Sequence, residues 1–133
     1  MIGLDTNVLV RYVVRDDGRQ AAAATRLIES RCTADEPGVV TLLVMCELVW
    51  VLARGYGYER AEISGLIRRI LSAEDLHVER SELAWRALNL YEEGKADFAD
   101  YVIGFCNQEE KAVATYTFDR RTRGCELFRL LST

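Results

Sequence analysis

Asp5, Glu47, Asp100 and Asp119 fall where strand-like apolar runs end or on the helices that follow them. Asp5 closes residues 1–4, and Glu47 lies on the helix expected after residues 38–41. Asp100 sits in the segment 96–104, and Asp119 closes residues 112–118. In an open α/β sheet the carboxyl ends of the strands line one crevice, where ligands bind. Carboxylates converging there repel one another unless a divalent cation neutralises them. The chemistry open to such a set is metal-dependent hydrolysis.

Each acid also has a plainer use. Asp5 stands at a strand-to-helix turn beside Thr6 and Asn7, where a carboxylate either ligates a metal or caps a helix. Glu47 is the only charge between residues 38 and 52, and the apolar sequence around it predicts burial. A buried carboxylate needs a partner, either a metal or one of the arginines. Asp97 and Asp100 are three residues apart and share a helix face. A cation stabilises such a pair, and so does the dipole of a helix N-terminus. Asp119, after Thr117 and Phe118, also suits a turn.

The rest of the composition narrows the options. The 133 residues, half of them hydrophobic and 29% charged, suit one soluble domain spanning 1–133 with a real core. No basic segment followed by an apolar stretch opens the chain, and no apolar run reaches the ~18 residues of a membrane span. Cytoplasmic residence, without membrane association, is the expectation. Cys32, Cys46, Cys106 and Cys125 form no C-x-x-C pair, and the single histidine, His77, lies far from them in sequence. That argues against zinc and against a disulfide framework, leaving the cysteines as structural residues. It also leaves histidine-based nucleophilic catalysis hanging on a residue that alternates with Leu76 and Val78. Net charge is −4, yet fifteen of the seventeen basic residues are arginine, whose planar fork suits phosphate. Arg11 and Arg15 follow Asp5 one helical turn apart, and Arg120, Arg121 and Arg123 follow Asp119.

Elements must place these groups. Residues 2–5 read as a short strand, with Thr6 and Asn7 capping a helix that carries Val8, Leu9, Tyr12 and Val13. Asp16, Asp17 and Gly18 break it, and an alanine-rich helix follows over residues 19–32. Residues 37–38 turn into a strand at Val39 and Val40. A long apolar helix is expected over 42–54, then an amphipathic one from Glu59 through Ile63, Ile67 and Ile70. Residues 76–78 form a strand, Ser81 caps a helix ended by Gly94, and another helix runs from about Phe98 to Glu110. Residues 112–117, and then 126–130, are the last strands. Such alternation predicts an α/β fold, with a parallel sheet covered on both faces.

Taken together, the segments 5–10, 44–52, 97–104 and 114–119 resemble the acidic motifs of PIN-domain ribonucleases, in particular VapC-type toxins of toxin–antitoxin pairs. The resemblance covers nearly the whole chain. It implies a single PIN-like, Rossmann-like α/β/α domain whose central, mainly parallel sheet has about four or five strands. It also implies Mg²⁺- or Mn²⁺-dependent endoribonuclease activity, with Asp5, Glu47, Asp100 and Asp119 as catalytic acids and metal ligands. Asp97 would be a further ligand or a supporting group. Thr6, Asn7 and Thr117 would orient carboxylates or water, and Arg11, Arg15, Arg120 and Arg121 would grip RNA phosphates. The implied partners are RNA and a VapB-like antitoxin, and the apolar helices 42–54 and 59–71 have surface enough for that partner or for a homodimer.

Other chemistries fit less well. A phosphotransferase using Asp5 as nucleophile wants a second acid two residues on, and position 7 is Asn. A phospho-receiver would use Asp16 and Asp17, which follow a helix rather than a strand. The alternative from another class is a non-catalytic α/β binding module whose acidic cleft docks a basic partner.

Overall fold

Ile63, Ile67 and Ile70 recur at helical spacing and are buried along one stripe of the helix Arg60–Ser72. A computed structural model describes residues 1–16 and 18–133, and it divides into two compact units, Met1–Ser81 and Glu82–Thr133.

The first unit contains helices α1 (Thr6–Val14) and α2 (Gly18–Arg31), strand β1 (Gly38–Val40) and helix α3 (Leu42–Trp50). A single π-helical turn over Val51–Gly55 follows, then α4 (Arg60–Ser72) and strand β2 (Leu76–Val78). β1 and β2 pair in parallel, Gly38 opposite Leu76 and Val40 opposite Val78. On its other side β1 meets the N-terminal segment: Val39 N–H donates to Ile2 O at 2.7 Å, and Leu4 N–H to Val39 O at 2.9 Å. That pairing aims the chain so that Asp5 arrives at the start of α1. Gly38 is needed here, because a Cβ would lie 2.8 Å from both Cys32 Sγ and Leu4 Cδ1. The core is Leu9, Ile28, Val40, Met45, Leu48, Leu52, Ile63 and Ile67.

In the second unit α5 (Ser81–Glu93) precedes α6 (Phe98–Glu109), strand β3 (Thr115–Thr117), a 3₁₀ turn (Arg120–Thr122) and strand β4 (Phe128–Leu130). β3 and β4 pair in parallel, Thr115 opposite Phe128 and Thr117 opposite Leu130. Phe98 lies edge-on to Tyr91 and Tyr101 edge-on to Phe128, with centroids 6.2 and 6.4 Å apart, the arrangement the ring quadrupoles favour. The Tyr101 hydroxyl accepts from Ala96 N–H at 3.3 Å, and it approaches Gly94 so closely that no side chain fits there.

The α/β class and parallel pairing agree with the sequence. The strands are three residues long, and only Gly3 of the expected N-terminal strand makes a bridge, to Val39. The helix expected over 42–54 changes hydrogen-bonding register after Trp50: Tyr56 N–H reaches back five residues to Val51 O at 3.2 Å. Thr6 and Asn7 lie inside α1, whose N-cap is Asp5. In the helix break at 16–18, Asp17 lies outside the described residues. None of the four cysteines is in a disulfide, and His77 is exposed on β2. Among the described residues no helix is long and apolar enough to cross a membrane.

Candidate active site

Two groups of acids form, one on each unit. In the first unit, extended backbone at Asp5 turns into α1, and its carbonyl accepts from Val8 and Leu9 N–H at 3.1 and 3.2 Å. The Asp5 carboxylate makes no capping hydrogen bond and is exposed, so its oxygens remain open to a ligand. The next residue, Thr6, is buried, and its hydroxyl donates to Glu47 Oε1 at 2.7 Å. Asp5, Thr6, Asn7 and Glu47 line a cleft of about 480 Å³ with Trp50 and Val51.

Glu47 corrects the sequence-based expectation of burial. Its neighbours Met45, Leu48 and Val49 face the core, whereas Leu43, Glu47 and Trp50 fall on the outward face of α3 and are exposed. The i, i+4, i+7 spacing of 43, 47 and 50 carried this information; the apolar character of the run hid it. Trp50 went unnoticed for the same reason. One helical turn from Glu47, it offers an exposed indole at the cleft.

In the second unit Asp97 is the N-cap of α6 and Asp100 its third residue, and the two form a reciprocal capping box. Asp100 Oδ2 accepts from Asp97 N–H at 3.0 Å. The helix-start role weighed for this pair is therefore present. Asp119 caps the 3₁₀ turn by accepting from Arg121 N–H at 2.9 Å, and its own N–H donates to Thr117 Oγ1 at 3.0 Å. What gathers the three acids is the Arg121 guanidinium. It lies 2.6 Å from Asp119, 3.4 Å from Asp97 and 3.8 Å from Asp100. Burial, with the like charges of Asp97 and Asp119 adding to it, pushes the Asp100 carboxyl above the usual range, against a backbone hydrogen bond and Arg121. Hydrogen bonds from the Arg121 side chain and backbone hold Asp119 below it.

The arginines divide. Arg11 is tied to Asp16 and Tyr56, both at 2.9 Å, and to Gln20 at 2.6 Å. Arg15, left-handed at the end of α1 (φ 60°), lies over the Tyr12 ring. Arg120 and Arg121 line a larger cleft of about 810 Å³ in the second unit with Arg86, Lys95 and Arg123. Arg86 and Lys95 were missed, because only the fold brings them to residues 120–123. Arg86 covers the face of Phe105 at 4.3 Å, so that ring's face is already occupied by a guanidinium.

The donors present suit a hard divalent cation: they are carboxylate oxygens, as Mg²⁺ and Mn²⁺ prefer. Asp97, Asp100 and Asp119 already gather round one positive charge. Their spacing is that of a guanidinium, and no group of three or more His, Cys, Asp or Glu among the described residues is set to hold a metal ion as it stands.

A model of the PIN domain matches residues 2–124, nearly the whole chain, and the protein belongs to the PIN-domain family. It is similar to the VapC ribonuclease of Aquifex aeolicus (strain VF5), with 29% identity over 97 residues, 73% of this chain and 71% of that protein.

Proposed function

We propose that this protein is a Mg²⁺- or Mn²⁺-dependent endoribonuclease and the toxin of a toxin–antitoxin pair. Asp5 and Glu47 of the first unit, with Asp97, Asp100 and Asp119 of the second, supply its carboxylates. The observation that carries the reading is the convergence of Asp97, Asp100 and Asp119 on one cationic position, in a member of the PIN-domain family.

When bound, the divalent ion supplies Lewis-acid chemistry, polarising the scissile phosphate and making water a better nucleophile. The chain's own residues do the rest. Thr6 holds the Glu47 carboxylate in one orientation. Thr117 fixes the backbone at Asp119. Arg120 and Arg121 line the cleft that receives phosphates, and their attraction for RNA is screened by salt. With His77 on an exposed strand face, proton removal falls to a carboxylate or to activated water. A VapB-like antitoxin, a homodimeric assembly, cytoplasmic residence and a single functional domain over 1–133 complete the proposal.

The test is incubation of the purified, antitoxin-free protein with a mixed RNA pool in Mn²⁺, Mg²⁺ or EDTA, beside the Asp5→Asn variant. Metal-dependent cleavage lost in the variant is the expected result. A folded protein that cuts nothing in either metal, yet binds a basic partner through these acids, would replace the nuclease with a binding module.

A further inference from the structure

We infer that Arg121 is the resident counter-cation of the second unit's acids, and that a divalent ion binds Asp119 by displacing its guanidinium. This rests on the metal-dependent reading above and adds to it a competition built into the chain. The geometry at Asp119 carries it. Oδ1 accepts from Arg121 N–H at 2.9 Å and from Nε at 3.0 Å. Oδ2 accepts from Nε at 3.1 Å and from Nη2 at 2.6 Å. A carboxylate offers about four lone-pair positions, and three N–H groups of this one residue engage both oxygens, the Nε–H being shared between them. The same guanidinium points Nη1 and Nη2 at the two oxygens of Asp97, each at 3.4 Å. A metal ion approaching Asp119 must compete with the guanidinium for these oxygens.

Displacement needs no unfolding. Asp119 Oδ1 can continue to accept from the Arg121 backbone N–H and so cap the 3₁₀ turn when the side chain leaves. The side chain is 47% exposed, and it borders a cleft that Glu93 and Glu126 also line, which gives the released guanidinium carboxylates and solvent to face. Three carboxylates facing one monovalent cation retain net negative charge, and that excess favours exchange for a divalent ion. Arg121 thus holds the acids gathered until metal arrives, then becomes available to phosphate.

The competition is read without turnover. Mn²⁺ affinity is measured by calorimetry in the absence of RNA for wild type, Arg121→Lys and Arg121→Gln, each shown to be folded by its melting curve in EDTA. The expected result is about tenfold tighter binding in Arg121→Gln, with Arg121→Lys between, since lysine offers one point charge rather than a fork. In wild type, the Arg121 Nε–Hε NMR signal, assigned by its loss in Arg121→Lys, should move toward the position of a free arginine as Mg²⁺ saturates. Unchanged or weaker Mn²⁺ affinity in Arg121→Gln, or a signal unmoved at saturating Mg²⁺, would overturn the proposal while leaving the nuclease in place. Absence of metal uptake in both wild type and Arg121→Gln would overturn the metal-dependent reading along with it.

Discussion

The buried Thr6 hydroxyl donates to Glu47 Oε1 at 2.7 Å, joining the first turn of α1 to α3 across 41 residues of sequence. Thr6→Val keeps the shape and removes the donor. Because the Glu47 carboxylate reaches water without it, the stability cost should be small, about 0.5–1.5 kcal/mol. The cost to cleavage should be larger, on the order of tenfold or more, because a misplaced carboxylate loses its alignment. Thr6→Ser should restore most of the rate. Equal rates for Thr6→Val and wild type in metal-saturated RNA cleavage would show that Glu47 needs no such guide.

Asp119 and Asp100 should respond to acid in opposite senses. Asp119 has its folded-state pKa lowered by Arg121. Its contribution is present above the ordinary aspartate value of about 3.9 and is lost as pH falls through the lower folded value. With side chains 27% and 47% exposed, the pair contributes under about 1 kcal/mol. Melting curves of wild type and Asp119→Asn, both in EDTA, should differ modestly at pH 6 and converge below pH ~3. A gap that persists at the lowest pH would locate the effect elsewhere than in the charge.

Much of this was legible in the sequence, for reasons that differ by element. The isoleucine spacing of α4 and the Leu76–Val78 alternation of β2 are local patterns, and the chain follows them. The acids stood out because each interrupts or ends an apolar run. The partners of the arginines were not legible. Arg121 meets Asp97 from 24 residues away and Arg11 meets Tyr56 from 45 residues away, distances that only tertiary packing closes. The exposure of Glu47 was encoded in helical phase, but an apolar stretch this long masks phase, since both faces of α3 read as core. The π-helical turn after Trp50 left no local mark at all, because its residues also suit an α-helix.

Asp100 provides the sharper test of how metal and stability trade. Burial and the neighbouring acids raise its folded-state pKa. For such a group the stabilising contribution is complete below the unfolded pKa and is lost as pH rises through the folded one. At neutral pH and without metal the ionised carboxylate is therefore a burden. Asp100→Asn keeps an oxygen to accept from Asp97 N–H and removes that burden, so it should melt about 1–3 °C higher than wild type in EDTA at pH 7. The gain should vanish below about pH 4. Adding metal should reverse the order. At a hundredfold excess over its dissociation constant an ion stabilises the wild type by about 2.7 kcal/mol, worth several degrees, while Asp100→Asn should respond weakly and no longer cut RNA. Thermal melts of both proteins with and without Mn²⁺ make the comparison. A variant that melts lower in EDTA, or shifts as far as wild type with Mn²⁺, would mean that Asp100 serves the helix start alone and that the ion binds without it.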